Sequence, residues 1–226
     1  MRALALCVLL ASGLDGERDN HPDNVRPIPP PGIAVPEADR TELEAGLKEL
    51  GAAIDDLTTA TADQRADVEI YHKAVRWALQ YNEIYDLKEI PVARQLLKEG
   101  LARAEALKNG QSPWTTATGL VPKGYVSRID GSVQPYGLVI PEGYDPAKLT
   151  RLDTWFHGRG EKLTELAFLQ QRRTSKGEFA PANAIVLHLY GRYCNANKFA
   201  GEIDLFEALD SVKRQYKVDE DRIVIR

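Results

Sequence analysis

Cysteine is scarce in this chain of 226 residues, which holds only Cys7 and Cys194. Two thiols so far apart match no zinc-ligand spacing and cannot form the disulfide framework of a small secreted domain. A basic stripe with interleaved aromatics is missing and the net charge is −4, which excludes nucleic acid as the expected partner. Blocks of like charge are missing too, so no charged interaction tail is expected. The one apolar run at the start, Ala3 to Leu14, falls well short of the roughly 20 residues that cross a bilayer. No membrane span, internal repeat, metal site or organic cofactor is expected, and the oligomeric state is left open.

What is present begins with Met1-Arg2 and that short apolar run, which ends in the small residues Ala11-Ser12-Gly13. Residues 1–14 read as a secretory signal peptide, giving a secreted or periplasmic protein. Residues 15–36 are polar and then proline-rich, with Pro27, Pro29, Pro30, Pro31 and Pro36. Proline removes amide donors and favours extended backbone, so this stretch reads as a linker. Residues 37–112 form a helical accessory region. Leu43, Leu47, Leu50 and Ile54 recur at helical spacing. Asp63 can cap a second helix carrying Val68, Tyr71, Val75 and Leu79, and Pro91 suits the first turn of a third that stops near Asn109-Gly110.

Residues 113–226 follow a different pattern. Tyr125 to Ile129 and Val133 to Ile140 read as strands of a hairpin turning at Asp130-Gly131-Ser132, since Asp-Gly is a strong turn signal. Leu152 to Phe156 is a further strand and Leu163 to Gln171 a helix. Ala184 to Tyr190 is almost uninterruptedly apolar, as a strand buried on both faces requires. Leu205, Leu209, Val212 and Tyr216 mark a last helix, and Ile223 to Ile225 a short buried strand. The sum is an α/β fold: an antiparallel hairpin followed by β-α-β-α-β.

The candidate chemistry lies in the loops. His157-Gly158-Arg159-Gly160 follows a strand and precedes a helix, the context of an oxyanion-hole loop, where backbone amides face the negative oxygen of a tetrahedral intermediate. A plain glycine-rich turn is the alternative. His157 reads as a structural residue holding that turn, and His188 as a satisfied core residue. Gly191 to Asn197 follows the central strand, so Arg192, Tyr193 and Asn195 are candidates to line a substrate cleft; a solvated surface loop is the competing reading. Cys194 reads as a small buried thiol, and Glu202 and Asp204 as complements to a helix dipole. A nucleophile is missing. The only G-x-S, Gly110-Gln111-Ser112, lacks the second glycine and follows a helix, so Ser112 is a turn residue.

Three pieces carry a resemblance: the strand with His157-Gly158-Arg159-Gly160, Gly201-Glu202-Ile203-Asp204 opening a helix, and Val218-Asp219-Glu220-Asp221-Arg222-Ile223-Val224-Ile225. As an ordered set over Gly124 to Arg226, they resemble the prolyl oligopeptidase-related, esterase-like group of α/β-hydrolases. The helical stretch departs from the β-propeller of true prolyl oligopeptidases. The resemblance implies the amino-terminal half of an α/β-hydrolase sheet and a serine hydrolase acting on a small ester or peptide. Gly158 and Arg159 would supply backbone oxyanion donors. In that family the last segment runs into a G-x-S-x-G turn, and acid and base follow it, so the triad would lie beyond Arg226. The expectation is a catalytically inert amino-terminal portion of a secreted serine hydrolase. The alternative is a non-catalytic hydrolase-like module that binds a partner or carbohydrate.

Overall fold

In the computed structural model, residues 17, 21–25, 27–193 and 197–226 are described. The signal-peptide reading, Cys7, Cys194 and Asn195 lie outside them. Three long helices come first: α1 (Glu37–Asp55), α2 (Ala62–Gln80) and α3 (Glu89–Lys108). α1 follows Pro36 and carries Glu37 and Asp39 in its first turn, where negative charge complements the helix dipole. The cap of α2 is Thr61 rather than the expected Asp63. Its side chain accepts from the Gln64 amide while Gln64 returns a bond to the Thr61 amide, a reciprocal capping box. Gly100 of α3 lets α1 approach: a Cβ there would stand 2.6 Å from Leu50 Cδ2.

The sheet holds β1 (Gly119–Val126), β2 (Val133–Ile140), β3 (Thr150–Trp155), β4 (Ala184–Leu189) and β5 (Val218–Ile225), with α4 (Glu165–Thr174) and α5 (Gly201–Gln215) between the later strands. Their spatial order is β1-β2-β4-β3-β5. β2 pairs antiparallel with β1 and β4, whereas β3 runs parallel to both β4 and β5. The fold is therefore mixed α/β, as expected. Tyr136 meets Ser211 of α5, whereas the adjacent Gly137 lies beneath the Arg172 side chain of α4. Successive strand residues point to opposite faces, so α4 and α5 cover opposite sides of the sheet.

Two strands differ from expectation. β1 starts at Gly119 and ends at Val126, before the expected Ile129. Pro122, Lys123 and Gly124 disguise it, because each disfavours a strand interior. Tertiary partners reverse that preference. Gly124 sits opposite Pro135, which has no amide, and its own amide donates to Asp67 Oδ1 of α2 at 2.9 Å. Lys123, fully buried, donates to Asp67 Oδ2 at 2.7 Å, and Trp114 Nε1 adds a third bond at 2.8 Å. Asp67 thus closes the outer edge of β1 with a satisfied buried network. β5 is longer than expected and is an edge, not a buried strand. It has β3 on one side, Glu220 to Arg222 are exposed, and Ile225 is 70% exposed. Its apolar end mimics a central strand, but among the described residues no helix covers it.

One hydrophobic core runs from Leu43 of α1 through Tyr71 and Leu96 to Leu138, Leu187 and Val212. The helical region therefore packs directly on the sheet. The proline-rich segment joins it: Ile33 donates to the Ile84 carbonyl at 2.7 Å, and Ile33 and Val35 pack against the core. Among the described residues no helix is long and apolar enough to cross a membrane.

Candidate functional site

The carboxyl ends of β3, β4 and β5 converge, and two loops meet there. The first is 156–163, after β3. Phe156 donates its amide to the Arg226 carbonyl at 2.9 Å, and Arg226 returns its amide to Thr154, also at 2.9 Å. The end of β5 is thereby fixed one residue from His157. His157 spans the two loops: Nε2 faces the Tyr190 carbonyl at 2.9 Å and Nδ1 the Gly158 carbonyl at 2.7 Å. Both partners are acceptors, so a neutral ring donates to one of them. The expected role of His157 as a clamp on the turn matches this geometry. Among the described residues no histidine nitrogen bonds a serine or threonine hydroxyl, so no nucleophile–base pair is assembled.

Gly158 and Arg159 are exposed, and among the described residues their amides donate to no protein acceptor. A Cβ on Gly158 would meet no protein atom within 4 Å, so a ligand could approach the backbone there. Gly160 is tighter, with Leu163 Cβ 3.1 Å from the place of its missing Cβ. The loop can therefore offer donors to a developing oxyanion.

The second loop follows β4. Gly191, Arg192 and Tyr193 have φ of 68°, 55° and 92°, the left-handed region that non-glycine residues seldom adopt. Asp204, expected as a dipole complement, does more: it is buried and accepts from the Gly191 amide at 2.9 Å and from the Tyr125 hydroxyl. Burial raises its carboxyl above the usual range, against the hydrogen bond from Tyr125. Arg192 turns inward, bonds Ser127 Oγ and reaches Asp130 Oδ2 at 3.4 Å. Tyr193 Oη lies 3.1 Å from Tyr85 Oη. Such strain next to a cleft is a mark of functional loops.

Arg192 and Tyr193 line one cavity of about 380 Å³, whose other walls include Trp77 of α2, Tyr81 just after it, Glu83 and Glu165. The structure thus brings two expected cleft residues together and adds a wall from the helical region. Glu165 is buried, paired with Lys73 at 2.5 Å through Oε1, and its Oε2 is unpartnered. Burial raises its carboxyl despite the Lys73 charge, and burial likewise raises that of Glu83. Neither glutamate was expected from sequence. Glu165 opens α4, where acids are common, and Glu83 lies in the link after α2, so no local signal marks either. Gly158 and Arg159 do not line this cavity. Gly158 borders a second one of about 330 Å³ with Trp155, Phe168, Arg172, Gly177 and His188. His188, expected to be satisfied, is buried with Nε2 unpartnered.

No protein-family model matches the chain, and no curated protein is significantly similar to it.

Proposed function

We propose that this chain forms the amino-terminal half of a serine-hydrolase catalytic domain of the α/β-hydrolase class, acting on a small ester or peptide. One observation carries the reading: the carboxyl end of β5 is hydrogen-bonded to the start of the glycine loop after β3, through Phe156 and Arg226 at 2.9 Å. In this hydrolase class, a strand-to-helix turn bearing the nucleophilic serine follows the strand beside that loop. The oxyanion hole then takes one amide from the turn and one from the loop. A turn beginning after Arg226 would start beside His157-Gly158. The strand order β1-β2-β4-β3-β5, with β2 antiparallel, supports the same assignment.

In this reading Gly158 and Arg159 donate backbone hydrogen bonds to the tetrahedral oxyanion, each worth about 3–4 kcal/mol of barrier lowering. His157 positions the loop and takes no proton from the nucleophile. The cavity of Arg192 and Tyr193 holds one arm of the substrate, and Trp77 and Tyr81 make the helical region part of the site mouth. Serine, acid and base come from sequence after β5, and the protein works in a secreted or periplasmic setting.

The test is ester hydrolysis by two proteins, residues 1–226 and the same chain continued through the codons after Arg226. Residues 1–226 are expected to leave a short-chain aryl ester uncleaved and to escape fluorophosphonate labelling. The continued chain is expected to contain Gly-x-Ser-x-Gly, to label, and to turn over. Turnover by residues 1–226 that resists a serine reagent would overturn the assignment.

A further inference from the structure

Arg172 is placed unusually for a cation. It is 9% exposed, projects from α4 over the sheet, and its backbone-side methylenes cover Gly137, whose missing Cβ would stand 2.4 Å from Arg172 Cδ. Among the described residues its guanidinium donates no hydrogen bond and meets no carboxylate; Nε and Nη1 are both buried and unpartnered. Its one compensating contact is the face of Phe168, 5.8 Å from the guanidinium carbon. A cation–π contact is worth far less than the hydration lost on burial. The uncompensated charge is an observation that asks for an anion.

A second orphan faces the same space. In the register of the sheet, Gly137 pairs with His188 and His188 with Trp155, so the three share one face beneath Arg172. His188 is 5% exposed and its Nε2 has no partner. Gly177, at φ 76°, closes the arrangement: where its Cβ would stand, His188 Nε2 is 3.7 Å away and Arg172 Nη1 3.9 Å. Any side chain at 177 would intrude between the two nitrogens. All three residues border the cavity of about 330 Å³, which the exposed Glu178 also lines without pairing with Arg172. That volume admits a carboxylate or a phosphate, and the planar guanidinium suits either.

We propose that the cavity between Arg172, His188 and Gly177 is a binding site for a small oxyanion, a carboxylate or phosphate group held by the guanidinium and the imidazole. His157 and Gly158 line the same cavity, so the site adjoins the glycine loop. The assignment stands apart from the catalytic reading, since it rests on unpartnered donors and not on the strand order. The backbone hydrogen bond of the His188 ring with Lys176 uses the one proton of a neutral ring, so a hydrogen bond from Nε2 to the oxyanion calls for the imidazolium, whose charge the anion offsets.

The experiment is isothermal titration of residues 1–226 with sodium acetate, inorganic phosphate and sodium chloride at matched ionic strength. Saturable heat is expected with acetate or phosphate, and which of the two binds more tightly identifies the source of the oxyanion. Arg172→Met is expected to abolish that heat while leaving the far-ultraviolet circular dichroism unchanged. If Arg172→Met does not fold, Arg172→Lys decides instead. It keeps the charge but loses the planar fork, and binding should weaken about fivefold or more. The proposal is overturned by no saturable heat with either oxyanion, by saturation with chloride alone, or by binding that survives unaltered in the variant.

Discussion

His188 sits where a histidine is costly to protonate. Burial pushes it down to about 3, helped by the Arg172 charge and opposed by a backbone hydrogen bond with Lys176. The folded value lies below the ordinary one near 6.5, so between those limits the unfolded chain holds a proton that the folded chain does not. The stability this supplies is complete above about pH 6.5 and is lost as pH falls toward 3. The buried acids Glu165 and Asp204 are raised and act in the opposite sense, so a comparison with a variant isolates the histidine. Urea unfolding at pH 7 and pH 5 should show wild type losing about 2 kcal/mol more than His188→Gln. An equal loss in both proteins would remove His188 from the account. At this scale sequence was a poor guide. His188 lies in an apolar run and reads as core, but its unpartnered nitrogen depends on Arg172 and Gly177, residues 16 and 11 positions upstream.

Among the elements, the contact of α2 with β1 sets the geometry of the site. α2 and the residue that follows it supply Trp77 and Tyr81 to the cleft, and Asp67 anchors the same helix to the β1 edge. The two elements touch at Gly124, where a Cβ would stand 2.5 Å from the Ala66 carbonyl oxygen and 2.7 Å from Ile70 Cγ2. Both neighbours belong to the helix, so an added methyl displaces α2 as a body. Gly124→Ala should cost about 1–3 kcal/mol in chemical denaturation, the range for overpacking a dense interior. Unchanged stability would mean that helix and strand are not held at this distance. Helix α2 was legible from Val68, Tyr71, Val75 and Leu79, because amphipathic spacing is local. Strand β1 was not: Pro122, Lys123 and Gly124 are tolerated through Asp67, more than 50 residues earlier in the chain.

In the whole molecule, one core joins the helical region to the sheet. The composition shift near Ser112 suggests two units, yet Leu96 and Leu107 of α3 belong to the same apolar cluster as Leu138 and Leu187. Ion pairs cross the boundary as well, with Lys73 to Glu165 buried and Arg173 to Glu99 half-buried. The two parts should therefore unfold together. Circular dichroism at the helix band and tryptophan fluorescence, which senses Trp77 and Trp114 beside the helices and Trp155 in the sheet, should give coincident transitions. Separate midpoints would show that the helices are an independent domain.

Sequence by itself determined the five α-helices among the described residues, the hairpin turn at Asp130-Gly131, the α/β class and the position of the glycine loop between β3 and α4. These follow from apolar periodicity and turn chemistry, which act over a few residues. Only the tertiary structure decided that β5 is an edge beside that loop, that Arg192 and Tyr193 share a cleft with Trp77, and that Arg172 and His188 face one cavity without partners. Each of those depends on which segments lie side by side, and on which buried polar atoms find a partner there. Neither quantity has a local signature, because both arise from contacts between residues distant in the chain.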